Sequence, residues 1–405
     1  MEKIESTLLA ESEYRALYAH VRQLPLVLLI SSPRAGTDFF HSLLDGHPEI
    51  IQQPGAYDFY AFWDGAQCKS DIADLANEFV WSVKSGKKNQ ITKFKSKYNI
   101  FERWDQLGEN RDESFSVEIE RFKAHLCGIM HGIELTAVNF FYGYHLAYSL
   151  AAGRDVSDTK ILFFHRHTPK DEERFYKEFG RFDIIFTTRD PRNSMVSEMN
   201  RMLSSESHYQ YVSMKYYDKM RRCLTIIESL KSYDLWVIKL EDLKEKPEVV
   251  LKAFAARYGL EWDSCMLKSS YMGKQWWGDV QTSEYLDTFS RKVIDKQWSG
   301  KWGYIDDKLL QSIFYPRLKS LGYNVKSNFL ILTLSPFLIL IPTRYERLIM
   351  GKILFSGVPM AKIGVLSVKA IYYYILRVKL YAGAVKKRFL KKMYIPTTFP
   401  ASNDG

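Results

Sequence analysis

Four short apolar runs punctuate the first two-thirds of the chain, with amphipathic stretches between them. They are residues 24–30 (LPLVLLI), 160–164 (KILFF), 182–188 (FDIIFTT) and 235–240 (LWVIKL). Each is nearly continuous in apolar character and ends at polar or turn-forming residues. That is the pattern of a strand buried on both faces of a parallel sheet. Helical patterns fill the gaps. Residues 4–22 read as a helix. Phe39, Phe40, Leu43 and Leu44 recur at helical spacing until Gly46 and Pro48 stop the pattern, and RDPRNSMVSEM turns into a helix after the third run. Another helix follows the fourth run to about Tyr258. Strands alternating with helices predict an α/β fold around a central parallel sheet.

Two segments fall outside this alternation. Residues 56–158 are polar, aromatic and mostly helical in pattern, and form a long insert, the natural place for a ligand-binding cap. Its aromatics (Phe59, Tyr60, Phe62, Trp63, Trp81, Trp104) suit core packing, with sugar stacking as the other use. The lysines of 84–97 read as a solvated face or as contacts to an anionic acceptor. After Asn328 the composition changes. Residues 329–341 are apolar but broken by Pro336, too short for a span of about 20 apolar residues. The expected organisation is a domain over 1–328 and a basic, apolar, helical extension over 329–405.

Charge sharpens the second boundary. The chain has 405 residues and a net charge of +10. Residues 329–405 hold 12 Lys and Arg against Glu346 and Asp404, so they carry the whole excess, and 1–328 balance at 45 of each sign. A neutral body argues against nucleic-acid binding. Short apolar stretches among Lys, Arg and Tyr suit a membrane-surface element over 329–395 on anionic lipid; a helical pair packed on the domain is the other reading. The first residues lack a signal-peptide core, so a cytoplasmic start is expected, peripheral on the cytoplasmic membrane face. Cys68, Cys127, Cys223 and Cys265 form no CxxC pair, so buried free thiols are expected, with neither zinc site nor disulfide framework.

The candidate chemistry starts in the turn SSPRAGTD, residues 31–38. It joins a buried strand to a helix, which aims backbone N–H groups and the helix dipole at one point and suits a phosphate or sulfate. Gly36 lets the backbone approach an anion, Thr37 adds a hydroxyl and Arg34 a charged fork. The Walker A pattern GxxxxGK[ST] is absent, which disfavours a P-loop kinase. A plain strand-to-helix turn has the same local pattern.

SSPRAGTDFFHSLLDGHPEI resembles the 5′-phosphosulfate loop of sulfotransferases that use 3′-phosphoadenosine 5′-phosphosulfate (PAPS). The family pattern PR[S]GT[TS] followed by LLDxHPxI is matched at Arg34, Gly36, Thr37, Leu43, Leu44, Asp45, His47, Pro48 and Ile50. The arginine form is more like the carbohydrate-type and related branches than the small-molecule branch. Three further stretches follow in order. Arg189 to Ser197 (RDPRNSMVS) resembles the 3′-phosphate segment, with the same eight-residue step. His165 to Pro169 (HRHTP) resembles the segment carrying the catalytic histidine. Glu241-Asp242-Leu243 with Pro247 resembles the EDL…P stretch.

The resemblance implies a P-loop-like three-layer fold, PAPS as co-substrate and no metal. It implies Arg34, Ala35, Gly36, Thr37 and Asp38 around the phosphosulfate, and Arg189 and Ser197 on the 3′-phosphate. Arg291 and Lys301 are candidates for the late basic loop, whose RKG-type form is only partly present. The reaction implied is in-line sulfuryl transfer to a hydroxyl of a carbohydrate or lipid-linked acceptor. Arg34 then meets the leaving oxygen and His167 is the general base, with His165 its near rival. His41 reads as a surface or packing histidine, His47 as structural, and Arg192 as a partner of Asp190. A carboxylate base after the loop helix, frequent in carbohydrate-type relatives, has only Glu49 available. Asp38 departs from the family's Thr or Ser and either caps the helix or repels the ligand. That departure and the incomplete late loop motivate a second hypothesis, a catalytically silent membrane-associated binding protein of the same fold.

Overall fold

The first apolar run becomes β1 (Leu26–Ser31), with every residue buried. The structure is a computed structural model; it describes residues 8–53, 55–56, 58–66, 71–81, 107–113, 117–166, 169, 171–204, 212–278, 288–294, 298, 300–323, 325, 329–355, 359–390 and 394–399. Before β1 lies α1 (Glu11–Gln23), and after it α2 (Thr37–Leu43) and the short β2 (Ile50–Gln52). Helices α3 (Phe59–Ala66), α4 (Ile72–Trp81), α5 (Ile119–Met130) and α6 (Ala137–Ala151) occupy the insert. The other apolar runs become β3 (Ile161–His165), β4 (Asp183–Thr188) and β5 (Asp234–Lys239). Between and after them come α7 (Glu172–Phe179), α8 (Pro191–Ser204), α9 (Val212–Ser229), α10 (Leu240–Glu245) and α11 (Pro247–Arg257). A hairpin of β6 (Ser270–Tyr271) and β7 (Lys274–Gln275) precedes α12 (Tyr304–Ser320). The C-terminal segment forms α13 (Phe329–Leu338), α14 (Arg344–Leu354), α15 (Met360–Leu390) and β8 (Thr397–Phe399).

The fold is α/β, with a central parallel sheet in the order β2-β3-β1-β4-β5-β8 and flanking helices. β1 runs parallel to β3 with Leu28 opposite Phe164, β2 to β3 with Ile51 opposite Leu162, and β5 to β8 with Val237 opposite Thr398. The chain divides into two units: 1–30, 36–185 and 246–290 form one, and 31–35, 186–245 and 291–405 the other.

In the first unit the insert's aromatics go into the core. Phe59, Tyr60, Phe62 and Trp63 are buried on α3, and Phe59 meets Phe141, Tyr144 and Phe175. Such rings each bury about 150–250 Å², so packing accounts for them and leaves none of these four open to a sugar. Trp104 lies outside the described residues, as does the lysine-rich stretch 84–97. In the second unit the C-terminal helices share one hydrophobic cluster with α8, α9 and α12, including Tyr216, Leu309, Ile349, Leu366 and Tyr381. Cys127, Cys223 and Cys265 are free thiols.

Buried histidines are expected to make the first unit acid-sensitive, His145 most of all. His145 on α6 is fully enclosed and its Nδ1–H donates to the Phe141 carbonyl at 2.8 Å. Burial pushes its pKa down from 6.5 to about 3, against that backbone bond. The unfolded chain takes up a proton near pH 6.5 and the folded chain does not. Stability is therefore complete above pH 6.5 and lost as pH falls toward 3, at about 1.4 kcal/mol per unit. Urea unfolding between pH 6.5 and 5, above most carboxylate titration, is expected to show a falling midpoint. His145→Gln is expected to lessen that slope, leaving the part due to His125, whose burial pushes its pKa down to about 4; an equal slope in the variant refutes the assignment.

Candidate active site

β1 and β4 are neighbours in the sheet, so the turns that follow them open side by side. Ligands of open α/β sheets bind beyond the carboxyl ends of strands at such places. In the second unit, the Ser32 N–H donates to the Thr187 carbonyl at 3.0 Å and the Ser32 hydroxyl to Thr188 Oγ1 at 3.3 Å. Two residues on, Arg34 has a φ of 54°. A left-handed, non-glycine residue costs about 1–2 kcal/mol and points to a backbone shaped for a ligand. Gly36, at φ 71°, is the N-cap of α2, where glycine takes that angle without penalty. Ala35 is buried between them, and Thr37 opens the helix, also buried.

The second unit brings three of the expected ligands together. Arg34 Nε donates to Ser197 Oγ at 3.4 Å, and Arg189 Nη1 to the Arg34 carbonyl at 3.4 Å. Ser197 reaches this point because α8 starts at Pro191, putting it about two turns in. Arg189 is buried. Burial pushes its guanidinium pKa down, while nearby Glu241 pulls the other way. Glu241 is half-buried, and its desolvation pushes the carboxyl up against the hydrogen bonds it accepts from the Asp190 N–H and the Tyr323 hydroxyl, both at 2.9 Å. Arg192 forms the expected pair with Asp190 at 2.6 Å and lies over the Trp298 ring, 4.0 Å from its centroid. Arg291 is exposed and pairs with exposed Glu245 at 2.7 Å, and Lys301 is exposed in the turn before Trp302.

The first unit holds a second group. His165, the last residue of β3, is buried, with its Nδ1 3.1 Å from His41 Nδ1 and 3.9 Å from Asp38 Oδ1. Two imidazole nitrogens at that distance share one proton, one donating and the other accepting. Sequence reasoning set His41 aside as packing. The signal was present: Asp38 and His41 are three apart on a helix and so share a face. Asp38 sits in the first turn of α2, one residue past its first position, so the cap is Gly36. The Tyr271 hydroxyl donates to its carbonyl oxygen at 3.2 Å. His167 lies outside the described residues.

The motif after the loop is structural here. Asp45 accepts from the Ser270 hydroxyl and the Gly273 N–H, fixing the β6–β7 hairpin. His47 is buried, accepts from the Glu49 N–H and donates to the Glu261 carbonyl. Glu49 pairs with Lys160 at 2.5 Å and accepts from the Glu261 N–H at 2.7 Å. Burial alone raises its pKa, but those partners outweigh it and hold the carboxyl below the ordinary range. A carboxylate so committed and so acidic is a poor general base.

Within the second unit, Arg34, Ser197 and Arg189 thus meet at the turns after β1 and β4, an arrangement suited to an anion. The family model described as "Sulfotransferase family" matches residues 25–264, and the chain belongs to that family. Among solved structures it is similar to the sulfotransferase domain of the olefin synthase of Synechococcus PCC 7002, at 15% identity and a TM-score of 0.35, covering 68% of this chain and 87% of that one. No curated protein matches it. No group of three or more His, Cys, Asp or Glu able to hold a metal occurs among the described residues.

Proposed function

We propose that this sulfotransferase takes its sulfuryl group from PAPS and transfers it to a hydroxyl of a carbohydrate or glycolipid acceptor by in-line displacement. The observation that carries the reading is the Arg34–Ser197–Arg189 group at the turns after β1 and β4. Its donors fit a nucleotide bearing two anionic ends: Arg189 and Ser197 grip the 3′-phosphate, while Arg34 and the N–H groups of Ala35, Gly36 and Thr37 hold the 5′-phosphosulfate. The donor supplies a sulfuryl group activated on a phosphate. In the reaction the acceptor oxygen–sulfur bond forms as the bond from sulfur to the 5′-phosphate oxygen breaks, and a histidine takes the hydroxyl proton. Arg34 neutralises charge growing on the leaving oxygen. The base is His167, with His165 as rival.

Transfer of radiolabelled sulfate from PAPS to membrane extracts tests the reading. A labelled glycan or glycolipid product is expected. Tight binding of adenosine 3′,5′-bisphosphate without transfer to any acceptor selects the silent binding protein, for which the Asp38 carboxylate in the first turn of α2 speaks. Failure to bind that nucleotide overturns both.

A further inference from the structure

Large exposed apolar side chains are sparse over the described chain before residue 329: Leu8, Tyr176, Met214, Val249, and the adjacent Tyr304 and Ile305. Between 334 and 375 they crowd. Phe337, Leu340, Phe355, Met360, Val365 and Val368 are each more than half exposed. A surface helix normally turns its polar side outward, but α15 does not. Leu366, Arg377, Tyr381 and Val385 face inward and are buried, and α15 packs on α9, α12 and α14. Arg377 pins it, pairing with Glu346 at 2.8 Å and donating to the Ile339 and Ile341 carbonyls. The opposite side carries Val365, Val368, Tyr372 and Ile375 at three- and four-residue steps, all about half exposed or more. Beside α15, the Tyr374 hydroxyl donates to the carbonyl of exposed Leu340.

The charge around this face has one sign. α15 contains no acid, and Lys362, Lys369 and Lys379 stand exposed on it. Glu346, the one acid of α14, is taken up by Arg377. A largely apolar cavity of about 270 Å³, lined by Tyr216, Ile349, Met350, Ala370, Ile371 and Tyr374, lies between α9, α14 and α15. Ile371 both lines it and is half exposed. None of the helices described is long and apolar enough to cross a membrane. Apolar side chains at helix spacing, flanked by lysines on a helix that carries no acid, match the boundary between anionic headgroups and acyl chains.

We propose that α13, α14 and α15 form a docking face for an anionic bilayer surface, with Val365, Val368, Tyr372 and Ile375 in the acyl boundary and Lys362, Lys369 and Lys379 on lipid phosphates. The proposal does not rest on the identity of the sulfuryl donor, and its test reads no transfer. The full chain is sedimented with vesicles of phosphatidylcholine alone or mixed with phosphatidylglycerol. Binding is expected to the mixed vesicles, at least about tenfold tighter than to neutral ones, and to weaken with salt. Lys362→Glu/Lys369→Glu/Lys379→Glu is expected to remove that preference. Val365→Asp/Val368→Asp is expected to lower binding by about tenfold or more while thermal melting and circular dichroism stay as in the wild type. Should that variant misfold, Tyr372→Trp serves: its fluorescence is expected to shift blue on mixed vesicles. Equal binding to both vesicles, an unshifted Trp, or a chain that self-associates through this face without lipid overturns the proposal.

Discussion

Arg189→Ala is expected to weaken binding of adenosine 3′,5′-bisphosphate by about 10²–10³-fold, and to leave adenosine 5′-monophosphate nearly unaffected. The guanidinium is buried, close to the Arg34 carbonyl, and answered mainly by Glu241. Truncating one partner of a buried charged hydrogen bond costs about 2–5 kcal/mol, and each 1.4 kcal/mol is about tenfold. The effect should need the 3′-phosphate, which is why the two nucleotides are compared by calorimetry. Arg189→Lys separates charge from geometry: a lysine keeps the charge and loses the fork, so it should recover only part of the affinity. Arg34→Ala is expected to act differently. It should lower kcat by about 10²–10³ through the leaving oxygen and cost less in binding of the bisphosphate. Equal loss for both nucleotides in Arg189→Ala would mean that the residue supports the turn and does not grip a phosphate.

That prediction rests on what was legible in the sequence. The ends of β1 and β4 were visible as breaks after two apolar runs, and a parallel sheet puts such ends on one edge; that Arg34 and Arg189 belong together there was legible only through the family resemblance, and the strand order makes the two turns adjacent. Other parts were not legible. β2 spans Ile50–Gln52 and β8 Thr397–Phe399, too few residues for any periodicity. β8 also lies at the end of the segment read as an appendage, yet it pairs with β5. Strand pairing between positions as far apart as Trp236 and Thr397 leaves no local trace. The histidine group was obscured for another reason. A single His in an apolar helix is usually packing, and His41 is indeed buried. Only the fold brings β3 beside α2 and so His165 to His41. Asp38, conspicuous as a departure from the family pattern, gains a neighbour that a linear comparison could not give it.

His167→Ala is expected to lower kcat by about 10²–10⁴, the usual contribution of a positioned base, with nucleotide affinity unchanged. The acid limb of the kcat–pH profile should disappear with it, because that limb reports protonation of the base. His165→Ala is expected to cost less. His165 is enclosed, with one ring nitrogen committed to His41 and Asp38 close by. The expectation is that a ring so held orders the end of β3 and does not take the acceptor proton. His41→Ala should then copy His165→Ala, since removing either ring breaks the same contact, while His167→Ala in either background should cost nearly its full amount again. The reverse ranking, with the acid limb lost in His165→Ala and kept in His167→Ala, moves the base to His165 and makes His41 and Asp38 the groups that set its tautomer.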